Sequence, residues 1–180
     1  MNLKMKLLYF TSLLCLMFSC ESSTDSNEKV LHNPFLVDLN VPIDYAKITA
    51  KDVEDYANHT LASVTSDLAV IKAQQSETFD NIFVSTDEIN NKLNKASQIC
   101  HMLFWVSPDS LTRAKGLWGF QLLNTVATDI YSDKGLFTKM VIFKSSDAYK
   151  ELKGNKKILV DDLILGFELS GVNLNNEEPQ

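Results

Sequence analysis

Apolar residues recur at helical spacing from about residue 49 to residue 170, and no segment shows the alternation typical of a strand. Thr49 is a suitable N-cap, because its hydroxyl can accept from the first amides of a helix while Asp52 adds negative charge to the positive end of the dipole. The pattern predicts a first helix from there to about Gln75. Its apolar stripe comprises Val53, Tyr56, Leu61, Val64, Leu68 and Ile71.

Two long helices are predicted next. The second is entered through Ser76-Glu77-Thr78 and ends before Pro108, since proline disfavours helix in the residue before it. The third runs from about Ser110 to Tyr131. The second stripe comprises Ile82, Ile89, Leu93, Ala96, Cys100 and Leu103, and the third comprises Leu111, Ala114, Trp118, Leu122, Val126 and Ile130. Gly116 and Gly119 weaken the third helix, which indicates close packing against a neighbour.

The last part of the pattern predicts two shorter helices. Gly135 opens a fourth helix that extends toward Leu152, and a final helix spans about Lys156 to Ser170. We therefore expect an all-α domain over residues 33–174, built as an antiparallel bundle of about five helices. The polar residues 175–180 are expected to form a disordered tail.

Residues 1–19 have the features of a secretory signal peptide, with Lys4 and Lys6 before an apolar run. That run would rise roughly 18 Å as a helix, against a hydrocarbon core of about 30 Å, so we expect it to be cleaved. Ser19 before Cys20, followed by a polar stretch, resembles a bacterial lipoprotein processing site. It predicts that Cys20 is lipidated and that residues 20–32 form a polar tether. A secreted protein with a coincidental cysteine is the alternative.

Charge and cysteine content exclude some classes of protein. The formal net charge is −6, and losing Lys4 and Lys6 with the signal would make it −8. An acidic chain without a basic stripe argues against nucleic-acid binding. Cys15 and Cys20 belong to the signal and its end, so Cys100 has no partner for an internal disulfide. Its apolar helix face favours a buried structural cysteine over a nucleophile.

Four short blocks occur in an order that is known from one family of peptidases. They are Asn33-Pro34-Phe35, residues 41–48, residues 78–82 and residues 167–174. In this order the chain resembles, over residues 33–174, the amino-terminal region of the zinc oligopeptidases of the dipeptidyl carboxypeptidase and thimet oligopeptidase family. The resemblance implies a longer, helical, bilobed enzyme whose deep channel admits short peptides. This segment would supply part of one channel wall.

The resemblance carries over no catalytic or metal-binding residue. The family's motif is His-Glu-x-x-His on a helix, where two imidazoles one turn apart bind zinc and the glutamate activates the bound water. The histidines here are His32, His59 and His101, and none has a second histidine four positions away. Zinc is expected only in a catalytic part outside this chain. The pairs Asp161-Asp162 and Glu177-Glu178 are expected to be surface charge.

The sequence thus predicts a helical, channel-wall segment of an oligopeptidase-like or peptidyl-dipeptidase-like lipoprotein, truncated before the catalytic domain and inactive alone. We expect a lipid anchor in the bacterial cell envelope, facing the periplasm or the surface. The other expected partners are a separate catalytic chain and short peptides. The alternative is a stand-alone, membrane-anchored peptide-binding or interaction lipoprotein. Truncation would leave apolar faces bare, and the residues expected there are Leu103, Phe104, Trp105, Trp118 and Phe120.

Overall fold

The computed structural model describes residues 32–37 and 40–174, and every regular element within these ranges is helical. The predicted all-α fold is therefore confirmed. The predicted signal peptide, Cys20, the tether up to residue 31, the pair Glu177-Glu178 and the tail 175–180 lie outside the described residues. None of the described helices is both long enough and apolar enough to cross a membrane.

The described ranges contain six α-helices, where the sequence predicted about five. They are α1 (Ala50–Ala73), α2 (Ser85–Val106), α3 (Ser110–Tyr131), α4 (Lys134–Lys144), α5 (Asp147–Glu151) and α6 (Asn155–Leu169). A 3₁₀ turn at Tyr45–Lys47 precedes α1, and a π-helical segment at Phe79–Val84 leads directly into α2.

The predicted fourth helix is divided into α4 and α5 at Ser145 and Ser146. Ser146 has an extended backbone, and its hydroxyl accepts a hydrogen bond from the Tyr149 amide at 3.3 Å. Serine side chains compete with the helical backbone for hydrogen bonds, so two adjacent serines favour a break followed by a new N-cap.

Helices α1, α2 and α3 form an antiparallel three-helix bundle. Near the start of α2, the Asn90 side chain donates to the Tyr131 hydroxyl at the end of α3 at 3.0 Å. Further along α2, Cys100 lies beside Gly116 near the start of α3, so the two helices run in opposite directions. Short connections between consecutive helices produce this arrangement. The buried residues predicted for the second helix are confirmed, since Ile82 of the π-helical segment and Ile89, Leu93, Ala96, Cys100 and Leu103 of α2 are all buried.

The predicted buried face of α3 is confirmed at Ile130 but is wrong at the start of the helix. Leu111 is 69% exposed and Ala114 is also exposed. Trp118, Leu122 and Val126 of the predicted stripe are half-buried, and the buried residues besides Ile130 are Thr112, Gly116, Gly119 and Leu123. A Cβ at position 116 would lie 2.7 Å from both the Cys100 carbonyl oxygen and the Phe104 nitrogen. The helix turns its glycines inward because only they allow its backbone to approach α2 this closely.

Helices α4, α5 and α6 pack with the π-helical segment on the same hydrophobic core. Phe83 of the π segment lies 5.1 Å from Phe143 of α4, measured between ring centroids. Phe167 of α6 lies 4.9 Å from Tyr131 at the end of α3. The shorter helices therefore continue the core of the three-helix bundle.

The blocks that carry the family resemblance are turns and helix boundaries. Asn33 is buried, accepts from the Phe35 amide at 2.9 Å and donates to the Asp52 carbonyl at 2.8 Å, which attaches the chain to α1. Thr78 forms a capping box with Asn81. Gly171, with φ of +82°, ends α6 in the left-handed conformation that favours glycine. These residues position helices and carry no chemistry.

The close contact of Gly116 and Gly119 with α2 leads to a prediction about the free energy of unfolding. Gly116→Ala should destabilise the fold by about 1–3 kcal/mol despite the better helix propensity of alanine, because the new methyl group meets backbone atoms that cannot move aside. Gly119→Ala should be milder, since its nearest neighbour is the Cys100 Sγ at 2.8 Å. Denaturant unfolding of each variant measures the difference.

Cys100→Ala provides the matched control for both glycine variants. Combined with Gly119→Ala it removes the clashing sulfur, so the double variant should be more stable than the sum of the single effects. Combined with Gly116→Ala, the effects should add. If both double variants departed from the sum of their single effects by the same amount, the Cys100 Sγ would not be the group that Gly119→Ala meets.

The interactions of Asp133 lead to a second prediction, which concerns how stability depends on pH. Its carboxylate accepts from the Leu136 amide at 2.9 Å and pairs with Lys72. Burial opposes ionisation, but the bonds from Lys72 and the Leu136 amide outweigh it and lower the pKa of Asp133. Because the pKa is lower in the folded protein than in the unfolded chain, the ionised Asp133 stabilises the fold at pH values above the unfolded pKa of about 3.9. This stabilisation is lost as the pH falls toward and through the pKa of the folded protein.

Asp133→Asn should keep the cap and lose the ion pair. Because Lys72 is almost half exposed, the expected loss at pH 7 is only about 0.5–1 kcal/mol. The difference between wild type and variant should shrink below about pH 4. Unfolding free energies measured from pH 7 to pH 2.5 test this, and a difference that stays constant with pH would exclude the ion pair as its source.

Candidate binding surfaces

An aromatic surface lies where α2 and α3 meet, and we define it by His101, Phe104, Trp105 and Phe120. The His101 ring stacks on Phe120 with centroids 4.4 Å apart. The Trp105 indole Nε1 donates to His101 Nε2 at 2.9 Å, and its ring packs against Phe104 at 4.8 Å. An indole nitrogen is a donor only, so this bond fixes Nε2 of His101 as the acceptor.

Trp105 is 68% exposed, although it is one of the largest apolar side chains in the protein. Met102 and Val106 on the last turns of α2 and Leu111 in the first turn of α3 are also exposed. Large exposed apolar patches are unusual on soluble monomers and mark binding surfaces. The expectation of a bare apolar face at this end of the bundle is therefore confirmed for Trp105.

The other residues expected on the bare face are less exposed. Phe104, Trp118 and Phe120 are half-buried, and Leu103 is buried, so its predicted exposure is wrong. Leu103 follows Cys100 by three positions and therefore shares the inward side of α2. The Trp118 ring is covered on one face by Lys115, whose Nζ lies 4.9 Å from the ring centroid.

A second surface, which the sequence did not predict, is a groove of about 360 Å³ under the N-terminal loop. We call it the N-terminal groove. One wall is the loop segment 35–37, and the others are α1 and α2. Its lining residues are Phe35, Leu36, Val37, Tyr56, His59, Thr60, Ser63, Lys92 and Lys95. The loop is held in place by the hydrogen bonds of Asn33 and by the contact of the Phe35 and Tyr56 rings at 5.1 Å.

The N-terminal groove combines an apolar floor with basic groups at its rim. Phe35 and Tyr56 are buried, whereas His59, Lys92 and Lys95 are exposed. No acidic residue is among the described residues that line it. Burial raises the pKa of Tyr56 to about 12, so its phenol stays neutral.

A third surface runs along α6 and was also missed. Ile158, Leu165 and Leu169 are each at least half exposed, and they are spaced seven and four positions apart, so they share one side of the helix. Leu163 and Phe167, on the inward side of α6, are buried.

The cysteine and histidine candidates do not assemble into a catalytic site. Cys100 is fully buried, and burial raises the pKa of its thiol to about 11, so it stays protonated at neutral pH. This confirms the prediction of a structural cysteine. His59 lies in the N-terminal groove and His101 stacks on Phe120, so the two histidines are on separate surfaces. Within residues 32–37 and 40–174, no three His, Cys, Asp or Glu side chains cluster as metal ligands would.

The neighbouring acids Asp161 and Asp162 do not form a carboxylate pair. Asp161 accepts from the Tyr149 hydroxyl at 2.8 Å and from Lys144 at 3.1 Å. The bond from Tyr149, followed by that from Lys144, lowers the pKa of Asp161 and keeps it ionised. Asp162 is exposed. The prediction of surface charge is confirmed for this pair.

Comparison with known proteins places the chain near the oligopeptidases. No protein-family model and no solved structure matches it significantly. It is 22% identical over 151 residues to Oligopeptidase A from Haemophilus influenzae, and the match covers 83% of this chain but 22% of that protein. The chain thus spans about a fifth of the length of this relative. The similarity indicates a distant relation to the oligopeptidase family.

Proposed function

We propose that this chain is an amino-terminal helical segment of an oligopeptidase-like lipoprotein, and that it forms part of the wall of a peptide channel. The catalytic residues and the zinc are supplied from outside these residues by a separate catalytic chain. The observation that carries the proposal is the match to Oligopeptidase A, which extends over most of this chain but a small part of the relative. The order of turns and helix boundaries from Asn33 to Gly171 supports it.

The aromatic surface is the docking site for the catalytic chain in this proposal. Trp105 is exposed at a level unusual for tryptophan, while His101 and Phe120 hold its surroundings rigid through stacking and a hydrogen bond. Tryptophan on a preformed support is the type of residue that contributes most at protein interfaces. The remaining four-fifths of an oligopeptidase-like protein would provide the apolar partner.

The proposed location is the bacterial cell envelope. It depends on residues 1–19 as an export signal and on lipidation of Cys20, with residues 20–32 as the tether. A lipid-anchored segment would hold its catalytic chain close to the membrane, where short peptides that cross the envelope are available.

A stand-alone, membrane-anchored binding lipoprotein is the second candidate, and one observation favours it. The N-terminal groove is lined by the described loop, α1 and α2 alone, so it is complete without a second chain. This candidate needs no catalytic chain and uses the N-terminal groove as its binding site.

The lipid anchor is tested by Cys20→Ala. We expect the variant to move from the membrane fraction to the soluble fraction, because no described helix replaces the anchor. Cys15→Ala, which keeps the processing site, is the matched control and should stay in the membrane. Retention of Cys20→Ala in the membrane after a high-salt wash would contradict lipidation.

The catalytic partner is tested with a tagged copy of the chain purified from its own cell envelope in mild detergent. We expect a stoichiometric second chain that contains His-Glu-x-x-His, together with hydrolysis of short peptides that a zinc chelator abolishes. The tagged chain produced alone should hydrolyse no peptide. Trp105→Ser should reduce recovery of the second chain about tenfold, as loss of an interface hot spot does.

Ile158→Ser is the matched control for Trp105→Ser, since it removes an exposed apolar residue from a different surface. It should leave recovery of the second chain unchanged. A tagged chain that is recovered as a monomer, with no peptidase and no peptide hydrolysis, would refute the proposal and favour the stand-alone lipoprotein.

A further inference from the structure

The N-terminal groove has properties that a channel wall does not require. Its floor is formed by the buried rings of Phe35 and Tyr56, which lie 5.1 Å apart. These rings support Leu36 and Val37, which line the groove at 39% and 37% exposed and present its accessible apolar area, and the volume of about 360 Å³ is at the lower end of the range of small-ligand sites. The groove therefore suits a small ligand with an apolar or aromatic body.

The charged residues at the rim of the groove determine which ligand charge it favours. Lys92 lies beside Ser63 and pairs with Asp67, so its charge is already compensated within the protein. Lys95 has no ion-pair partner among the described residues. His59 lies in the groove as a further donor. An uncompensated ammonium in a chain with a net charge of −6 is a local attraction for an anion.

We propose that the N-terminal groove binds a small carboxylate with an apolar body, with Lys95 bonding the carboxylate and the exposed side chains of Leu36 and Val37 contacting the body. Two sources share this chemistry, namely the free C-terminus of a peptide with an apolar last residue and a medium-chain fatty acid. The proposal is independent of the catalytic chain, because the groove is built entirely from this chain's loop, α1 and α2.

Calorimetric titration of the purified full chain tests the proposal with four probes. N-Acetylphenylalanine represents a peptide C-terminus and decanoate represents a fatty acid. N-Acetylphenylalanine amide lacks the charge, and acetate lacks the apolar body. We expect saturable binding of at least one of the first two, and about tenfold weaker binding of the amide and of acetate, as loss of a charged hydrogen bond or of apolar contact implies. Whichever of the first two binds more tightly identifies the source.

Lys95→Met keeps the apolar stem and removes the charge, so it should weaken binding about tenfold. Lys95→Gln is a second variant with the same expected result, and thermal melts confirm that both are folded. Lys153→Met, between α5 and α6, is the matched control and should bind as the wild type does. Equal affinity for the acid and its amide, unchanged binding in both Lys95 variants, or no saturable binding at millimolar concentration would overturn the proposal.

Discussion

The close approach of α3 to α2 at Gly116 is the constraint on which the rest of the structure depends. The glycine face brings the two backbones together, since a single methyl group there would overlap the Cys100 carbonyl. Side chains on the flanks of this contact cannot lie between the helices and must extend sideways. His101 and Phe120 consequently stack across the flank at 4.4 Å, and Trp105 is left outside them. The aromatic surface is thus a product of the glycine contact.

The sequence predicted most of the helices because their apolar residues follow a period close to 3.6. Every residue predicted to be buried on α2 is buried for the same reason, whereas the polar Thr86 and Ser97 on the same side were missed. The close packing of Gly116 and Gly119 against a neighbour was predicted, but the inward side of α3 was only partly predicted because glycines have no side chain to mark it. The larger apolar residues Leu111 and Ala114 led to the prediction that an adjacent side of α3 is buried, and both are exposed. The break at Ser145 was missed because two serines are only a weak signal against a helix.

The binding surfaces were less predictable than the helices. Trp105 was expected on an apolar face that truncation leaves bare, but the sequence did not distinguish it from Leu103 two positions earlier. The N-terminal groove joins Phe35 to His59 and Lys95, which are far apart in the chain and share no periodic pattern. Such a site depends on how a loop packs against two helices. The sequence contains the block Asn33-Pro34-Phe35, but it does not show the hydrogen bonds by which Asn33 fixes this loop.

The N-terminal groove and the aromatic surface both use α2, and helical geometry keeps them apart. Lys92 and His101 are nine positions apart, and at 3.6 residues per turn this is two and a half turns, so they project from opposite flanks of the helix. One flank faces α1 and the loop, and the other faces α3. Between them runs the buried stripe that includes Cys100, which leaves little freedom for α2 to rotate. A ligand in the groove and a protein on the aromatic surface therefore do not compete for space.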